Sequence, residues 1–278
     1  SATASADAPY GVQVVALGEG KFDAYVLEGG LPGAGWDKSK KRTKTTGQTT
    51  DGVTECAGGD CKVTIQDGKL TLAIAGKKVC ELKRIERQSP TLGARPPKGA
   101  VVLFDGTGVD EWDKGRLSDD KLLMEGTTSK RTFTDFTIHI EFRTPFKPQD
   151  RGQARGNSGI YLQGRYEAQM LDSFGLDGKM NETGGLYSIK DPDLNMCLPP
   201  LAWQTYDIDF KAARWKDGKK TEPAVMTVRL NGVVVQKDVV CDHATTASPM
   251  KEADSPGPIN LQDHGNPFRY RNIWVVPK

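Results

Sequence analysis

The chain has 278 residues, 37% hydrophobic and 27% charged, with 31 glycines and 16 prolines, which suits a turn-rich globular protein with one large β domain or two smaller ones. Its 38 basic and 36 acidic residues leave a formal net charge of +2, so there is no electrostatic case for nucleic acid or an anionic membrane as the main partner. No apolar run approaches the roughly 20 residues that span a bilayer.

The opening SATASADAPYG is small and polar, like the start of a mature secreted protein after its leader has been removed, and an extracellular or periplasmic location is expected. KFDAYVLEGG reads as a strand. The glycine- and threonine-rich stretch from Gly29 to Gly59 reads as loop, and the basic run Lys38-Ser39-Lys40-Lys41-Arg42 as solvated. The cysteines are Cys56, Cys61, Cys80, Cys197 and Cys241. CAGGDC, from Cys56 to Cys61, turns over two glycines and is expected to close a disulfide, which fits an oxidising compartment. The rival, a structural zinc site, lacks a matching Cys-x-x-Cys pair and has only His139, His243 and His264 to draw on.

KVTIQDGKLTLAIAGKKVCELKRIER alternates around Asp67-Gly68 and Gly76-Lys77, predicting a meander of three short strands. With the earlier strand it would make a small β unit of about 80 ordered residues with a modest core. QSPTLGARPPKG at 88–99 reads as a linker, dividing an amino-terminal β-rich extension (1–95) from a larger domain (96–278). From Val101 onward short strands follow one another, VVLFDG, FTIHIEFRT, NSGIYLQG, RYEAQMLD, GGLYSI, WQTYDIDFKAARW, AVMTVRLNGVVVQ, PINLQD and RYRNIWVVP, with turns such as Asn231-Gly232. That spacing predicts an all-β sandwich or jelly roll over a βαβ fold.

The stretch 157–173, NSGIYLQGRYEAQMLDS, is the most pointed. Strand alternation puts Asn157, Tyr161, Gln163, Glu167 and Gln169 on one face and Ile160, Leu162, Ala168 and Met170 on the other, where they suit the core of a two-sheet stack. The mixture of amide, phenol and carboxylate resembles a sugar site. Glu167, central on that face, can serve as a base or a metal ligand, or can pair with Arg143 or Arg165. His139, Glu141 and Arg143 share one face opposite Ile138, Ile140 and Phe142, as an anion- or cation-holding row or as a cross-strand ion-pair ladder. His264, in QDHGNP, sits where a strand gives way to a loop, placed for acid–base work or simply bonded to a carbonyl, with Asp263 and Asn266 shaping the turn. Gln262, Arg269 and Arg271 are near it in sequence. Asp172 falls opposite Glu167 unless a bulge intervenes. Trp203, Tyr206, Trp215 and Trp274 offer stacking surfaces, although tryptophan in a sandwich is more often core. The acidic residues of LFDGTGVDEW are too unevenly spaced to specify calcium near Asp105 or Asp110.

Seven ordered motifs carry a resemblance: LFDG at 103–106, EFR at 141–143, NSGIYL at 157–162, RYEAQMLDS at 165–173, WQTYDIDF at 203–210, LNGVVVQ at 230–236 and LQDHGNPFRYRNIW at 261–274. Across 101–278 the sequence resembles the 3-keto-disaccharide hydrolase domain family, and the 89–106 junction resembles the join to an amino-terminal extension in some bacterial members. The resemblance implies a concanavalin-like jelly roll acting on glycosides already oxidised to a ketone at carbon 3. The ketone acidifies the hydrogen on carbon 2, a base removes it, the enolate expels the group on carbon 1, and water can then add. Such a site needs a base near neutral pKa, donors or a cation for the enolate, and a proton for the leaving group. Glu167, His264 and Glu141 are then the expected catalytic residues. Arg143, Asn157, Tyr161, Gln163, Gln169, Gln262 and Arg271 are the expected substrate contacts, with a divalent cation of unspecified identity as a possible aid. A nicotinamide-dependent sugar oxidoreductase is the expected pathway neighbour. The competing readings are a non-catalytic carbohydrate-binding module and an ordinary two-carboxylate glycosidase, the latter without a compact Glu-x-Asp-x-x-Glu strand motif.

Overall fold

The computed structural model describes residues 2–4 and 9–278; residues 1 and 5–8, within the segment read as a mature terminus, lie outside the described residues. The described chain is built almost wholly of β-strands and falls into two compact units. One comprises Ser1–Arg87 with Lys147–Arg151 and Phe174–Asp177, the other Gln88–Phe146, Gly152–Ser173 and Gly178–Lys278.

The first unit is a closed barrel of eight strands, ordered Ala2–Ala4, Lys77–Ile85, Lys69–Ile74, Cys61–Gln66, Val53–Gly58, Arg42–Thr50, Lys21–Glu28 and Tyr10–Gly18. Closure removes the free edges that a three-strand meander would expose. Val12, Val26, Val63, Leu70, Leu72 and Leu82 fill its interior. Two of its strands lie inside the stretch read as loop from Gly29 to Gly59. Their inward positions include Thr45 and Gly47, so no apolar alternation marks them; a Cβ on Gly47 would lie 1.6 Å from the Glu55 carbonyl oxygen, which leaves only glycine room there. The expected Cys56–Cys61 disulfide is not formed, and all five cysteines are free thiols. The hairpin register sets Cys56 opposite Val63 and Cys61 opposite Gly58, and the thiols turn to separate acceptors, Phe22 O at 3.8 Å and Asp60 Oδ1 at 3.6 Å. A bridge would instead require adjacent Cβ atoms.

The second unit is a two-sheet sandwich. One sheet runs Val101–Phe104, Arg269–Pro277, Phe136–Arg143, Trp203–Lys211, Ala224–Leu230, Val233–Cys241, with Leu123–Met124 also paired to Arg269–Pro277. The other runs Trp112–Asp113, Thr127–Phe133, Gly257–Leu261, Asn157–Leu162, Tyr166–Leu171. Ile138, Ile140 and Phe142 from the first sheet and Ile160, Leu162, Ala168 and Met170 from the second are all fully buried in the shared core, and a large apolar side chain buried in this way contributes about 1.5–3 kcal/mol. Asn231 and Gly232 have φ of 52° and 79°, the positive values that a tight hairpin turn requires.

Residues 88–94, read as linker, are fastened to the outer face of the larger sheet. Ser89 Oγ meets Thr205 Oγ1 at 2.6 Å, Thr91 Oγ1 donates to Asp207 at 2.7 Å, and the Gly93 amide donates to Glu141 at 2.5 Å. Asn272 Nδ2 and Trp274 Nε1 both donate to the Ala94 carbonyl.

Candidate functional site

The strands Asn157–Leu162 and Tyr166–Leu171 pair so that Tyr161 faces Glu167 and Gly159 faces Gln169. Since the apolar members of both strands point to the core, these residues and Asn157 share the outer face of the smaller sheet. The face is polar but not solvated: Asn157, Tyr161, Glu167 and Gln169 are each at most 3% exposed.

Gly159 gives the face its shape. A Cβ there would lie 2.1 Å from Glu167 Oε1, so the missing side chain leaves a well that the carboxyl occupies. The Gln262 amide nitrogen donates to the Gly159 carbonyl at 2.9 Å, which brings Gln262 alongside. Its Nε2 donates to the Tyr161 hydroxyl at 3.1 Å, and Tyr161 stands directly opposite Glu167 in the strand pair. Thr245 Oγ1 accepts the Glu167 backbone N–H at 3.0 Å. Ser158 Oγ donates to the Gln262 carbonyl at 2.7 Å and lies 2.6 Å from the Tyr270 hydroxyl, pinning Gln262 from beneath. Glu167 Oε1, Gln262 Oε1 and Asn157 Oδ1 have no hydrogen-bond partner among the described residues. Buried oxygens left this way are costly in a finished core and mark strain, a catalytic role, or a bound water or ion.

Burial pushes the Glu167 carboxyl up to about 7, with the Tyr161 hydrogen bond opposing it. Burial, together with the neighbouring carboxylate, raises the Tyr161 phenol as well. Beside this cluster opens a cavity of about 480 Å³, large enough for a small glycoside. Tyr161, Thr128, Asn260 and Gln262 line it, together with Asp113, Lys114 and Asp263. Lys114 holds φ at 56°, a left-handed backbone unusual for lysine.

The other expected site residues fall elsewhere. Gln163 is not on the polar face: it opens the hairpin turn with φ 54°, donates to the Phe133 carbonyl at 2.9 Å and accepts from Arg165 at 3.0 Å. The amide oxygen of Gln169 caps the Met170 N–H at 2.9 Å. Glu141 stands on the outer face of the other sheet, on the far side of the core from Glu167. There it accepts from Arg271 at 2.7 Å and Asn272 at 2.8 Å, beneath residues 88–94. Burial pushes its carboxyl up, but these bonds and one from His139 outweigh it and hold the group at about 2. Arg143 and Arg271 flank the Trp203 ring at 5.2 and 4.0 Å on that same face. His264 is exposed and outside the cavity lining, with its carbonyl accepting from Asn266 at 3.0 Å. Asp172 pairs with Arg155 at 2.7 Å in the interior. Glu167, Tyr161 and Gln262 therefore come together, with Asn157 and Gln169 beside them. Glu141, Arg143, Arg271 and His264 do not join them.

Of the aromatics, Trp274 stacks on the His139 ring, and Tyr206 crosses the core to bond the Gln169 carbonyl at 2.5 Å and the Gly184 amide at 2.6 Å. Asp105 caps Thr107 in a local turn. Among the described residues no three His, Cys, Asp or Glu side chains converge as a metal-ligand set. Gly159, Asn260, Thr128, Lys114 and Thr245 were not singled out by the sequence. Only Gly159 carried a signal, as a glycine inside an otherwise regular strand.

A two-sheet sandwich with a sequestered carboxyl beside a polar, glycoside-sized cavity is of the carbohydrate-active class. Residues 99–276 match the family described as the 3-keto-alpha-glucoside-1,2-lyase-like domain, and the chain belongs to that family. Among solved structures it is similar to a candidate glycosyl hydrolase from Parabacteroides distasonis ATCC 8503, with 34% identity, a TM-score of 0.59, and coverage of 66% of this chain and 85% of that one. A second candidate glycosyl hydrolase from the same organism shares 17% identity over 65% of this chain and 94% of its own, with a TM-score of 0.47. No curated protein matches.

Proposed function

We propose that the protein cleaves 3-keto-glycosides, using Glu167 as the base that removes the hydrogen on carbon 2. The observation that carries this reading is a sequestered carboxyl with a proton affinity near 7, directly across the strand pair from a residue that lines a polar cavity of suitable size. A base is most effective when its pKa lies near the working pH, so raising a carboxyl from its ordinary value makes it a better base for a carbon acid. The C2–H bond breaks and its electron pair passes into the C2–C3–O enolate. The C1–O bond then breaks, the leaving oxygen takes a proton, and a C1–C2 double bond remains to which water adds for net hydrolysis. Lys114 and the second N–H of the Gln262 side-chain amide are the cationic and hydrogen-bonding groups available on the walls for the enolate oxygen.

The test is release of the aglycone from a 3-keto-glucoside, with and without chelator, by the native chain and Glu167→Gln. The native chain is expected to release it, and the variant to lose about 10²–10⁴-fold. Native protein that retains intact glycans but releases nothing from several keto-glycosides would be a carbohydrate-binding module instead.

A further inference from the structure

We infer that the group meeting the substrate is the phenol of Tyr161, and that Glu167 takes up and returns the C2 proton through it. This rests on the reading of Glu167 as the base and assigns a second residue to the same step. Tyr161 lines the cavity and Glu167 does not. Glu167 is 2% exposed, with Oε1 turned into the well over Gly159. Direct attack by the carboxylate would require the substrate to enter that well, which the carboxyl already fills.

The bonding of the phenol fits a relay. Its oxygen accepts from Gln262 Nε2 at 3.1 Å, and it stands directly across the strand pair from Glu167, the carboxyl to which its proton can pass; one lone pair stays uncommitted. Gln262 is fixed by its own backbone bond to Gly159 and by Ser158, and Tyr161 by its place in the sheet, paired to Glu167 on one side and Asn260 on the other. Orientation is therefore set before substrate arrives, the condition under which a proton transfer is efficient.

An isolated phenol in this setting is not a usable base, since burial and the carboxylate beside it disfavour the phenolate. The transfer is therefore concerted. The C2 proton bonds to the phenol oxygen as the phenol's own proton passes to Glu167, and the C2 electron pair enters the enolate. When the C1–O bond breaks, the leaving oxygen takes the phenol proton and Glu167 returns its proton to the phenol. Tyr161 ends unchanged, Glu167 is ionised again, and no co-reactant is consumed. Tyr161 is thus a catalytic residue, and Gln262 a positioning one.

Tyr161→Phe removes one oxygen and keeps the ring. The measurement is hydrogen exchange at carbon 2 of a 3-keto-glucoside in deuterated water, together with aglycone release, as functions of pH. The relay requires kcat to fall at least about 100-fold for both, with KM within about threefold. Retention of kcat within about threefold, with its pH limb displaced upward because Glu167 has lost a hydrogen bond, would overturn the relay and leave Glu167 acting directly. Native protein with neither exchange nor release overturns the functional reading itself, an outcome recognisable without the variant. If Tyr161→Phe does not fold, 3-fluorotyrosine placed at 161 makes the phenol more acidic while preserving its shape. A changed kcat and pH limb then support the relay, and unchanged ones overturn it.

Discussion

Glu167 owes its chemistry to a hydrogen atom on a neighbour. Because Gly159 has no Cβ, the carboxyl lies against the backbone, away from water, and its ionised form is penalised from the ordinary 4.5 to about 7. The native state therefore binds a proton that the unfolded state releases between those values, and the contribution to stability falls as pH rises through that window. It amounts to about 3 kcal/mol in favour of Gln at this position above neutrality. Two curves should rise together with pH. Turnover should rise with pH through about 7 as the base ionises, while the stability gained on Glu167→Gln should appear only as the pH climbs above 4.5. Parallel pH–rate and pH–melting series check both, and a rate limb below pH 5 would remove Glu167 from the step.

At the scale of elements, what could be seen depended on alternation. The hairpin 157–171 was legible because core and polar residues take strict turns, and the structure places Ile160, Leu162, Ala168 and Met170 in the core as the pattern requires. The pattern stops at Leu162, where Gln163 and Gly164 adopt φ of 54° and 63° to reverse the chain. A period-two count carried through that turn put Gln163 on the wrong face. The strands within 42–58 were hidden because threonine and glycine occupy inward positions. Residues 88–94 were hidden because Pro-Gly composition signals a turn without saying what the turn rests on. They rest on Glu141, whose carboxyl is held at about 2 in the fold against an ordinary 4.5. Its stabilising effect is complete above the unfolded value and is lost as pH falls toward 2. Glu141→Gln is expected to cost about 3 kcal/mol at neutral pH, as for a buried pair losing one partner, and progressively less as the pH is lowered. Denaturant melts at pH 7 and pH 3 test this, and an equal loss at both would assign the cost to packing alone.

For the whole molecule, two hydrophobic clusters mean two separate sources of stability. Composition marked a division near residue 95, but nothing in it marked residues 147–151 and 174–177 as belonging with the amino-terminal unit, since spatial grouping leaves no local pattern when the strands are continuous on either side. Every residue of the candidate site lies in the sandwich unit. Leu72→Ala, in the barrel core, should therefore destabilise by about 2–5 kcal/mol yet leave kcat on a 3-keto-glucoside within about twofold. Calorimetry and steady-state kinetics on the same preparation separate the two effects, and a matching loss of turnover would tie the barrel to the chemistry.

The strand that bears Glu167 is the last in its sheet, yet it has no open side. Its outer backbone groups are taken up by the segment that follows: the Gln169 N–H by Gly185 O at 2.9 Å, the Gln169 carbonyl by Gly184 N at 3.3 Å and the Glu167 carbonyl by Tyr187 N at 3.4 Å. One stretch of chain thus performs two unrelated services. It satisfies the backbone groups on either side of the Glu167 side chain, and it denies a six-residue sticky border to other molecules of the same kind. Peeling it back would free the backbone of the Glu167 strand and expose its edge at the same moment, so loss of the proposed activity on ageing and the onset of turbidity should share a single clock.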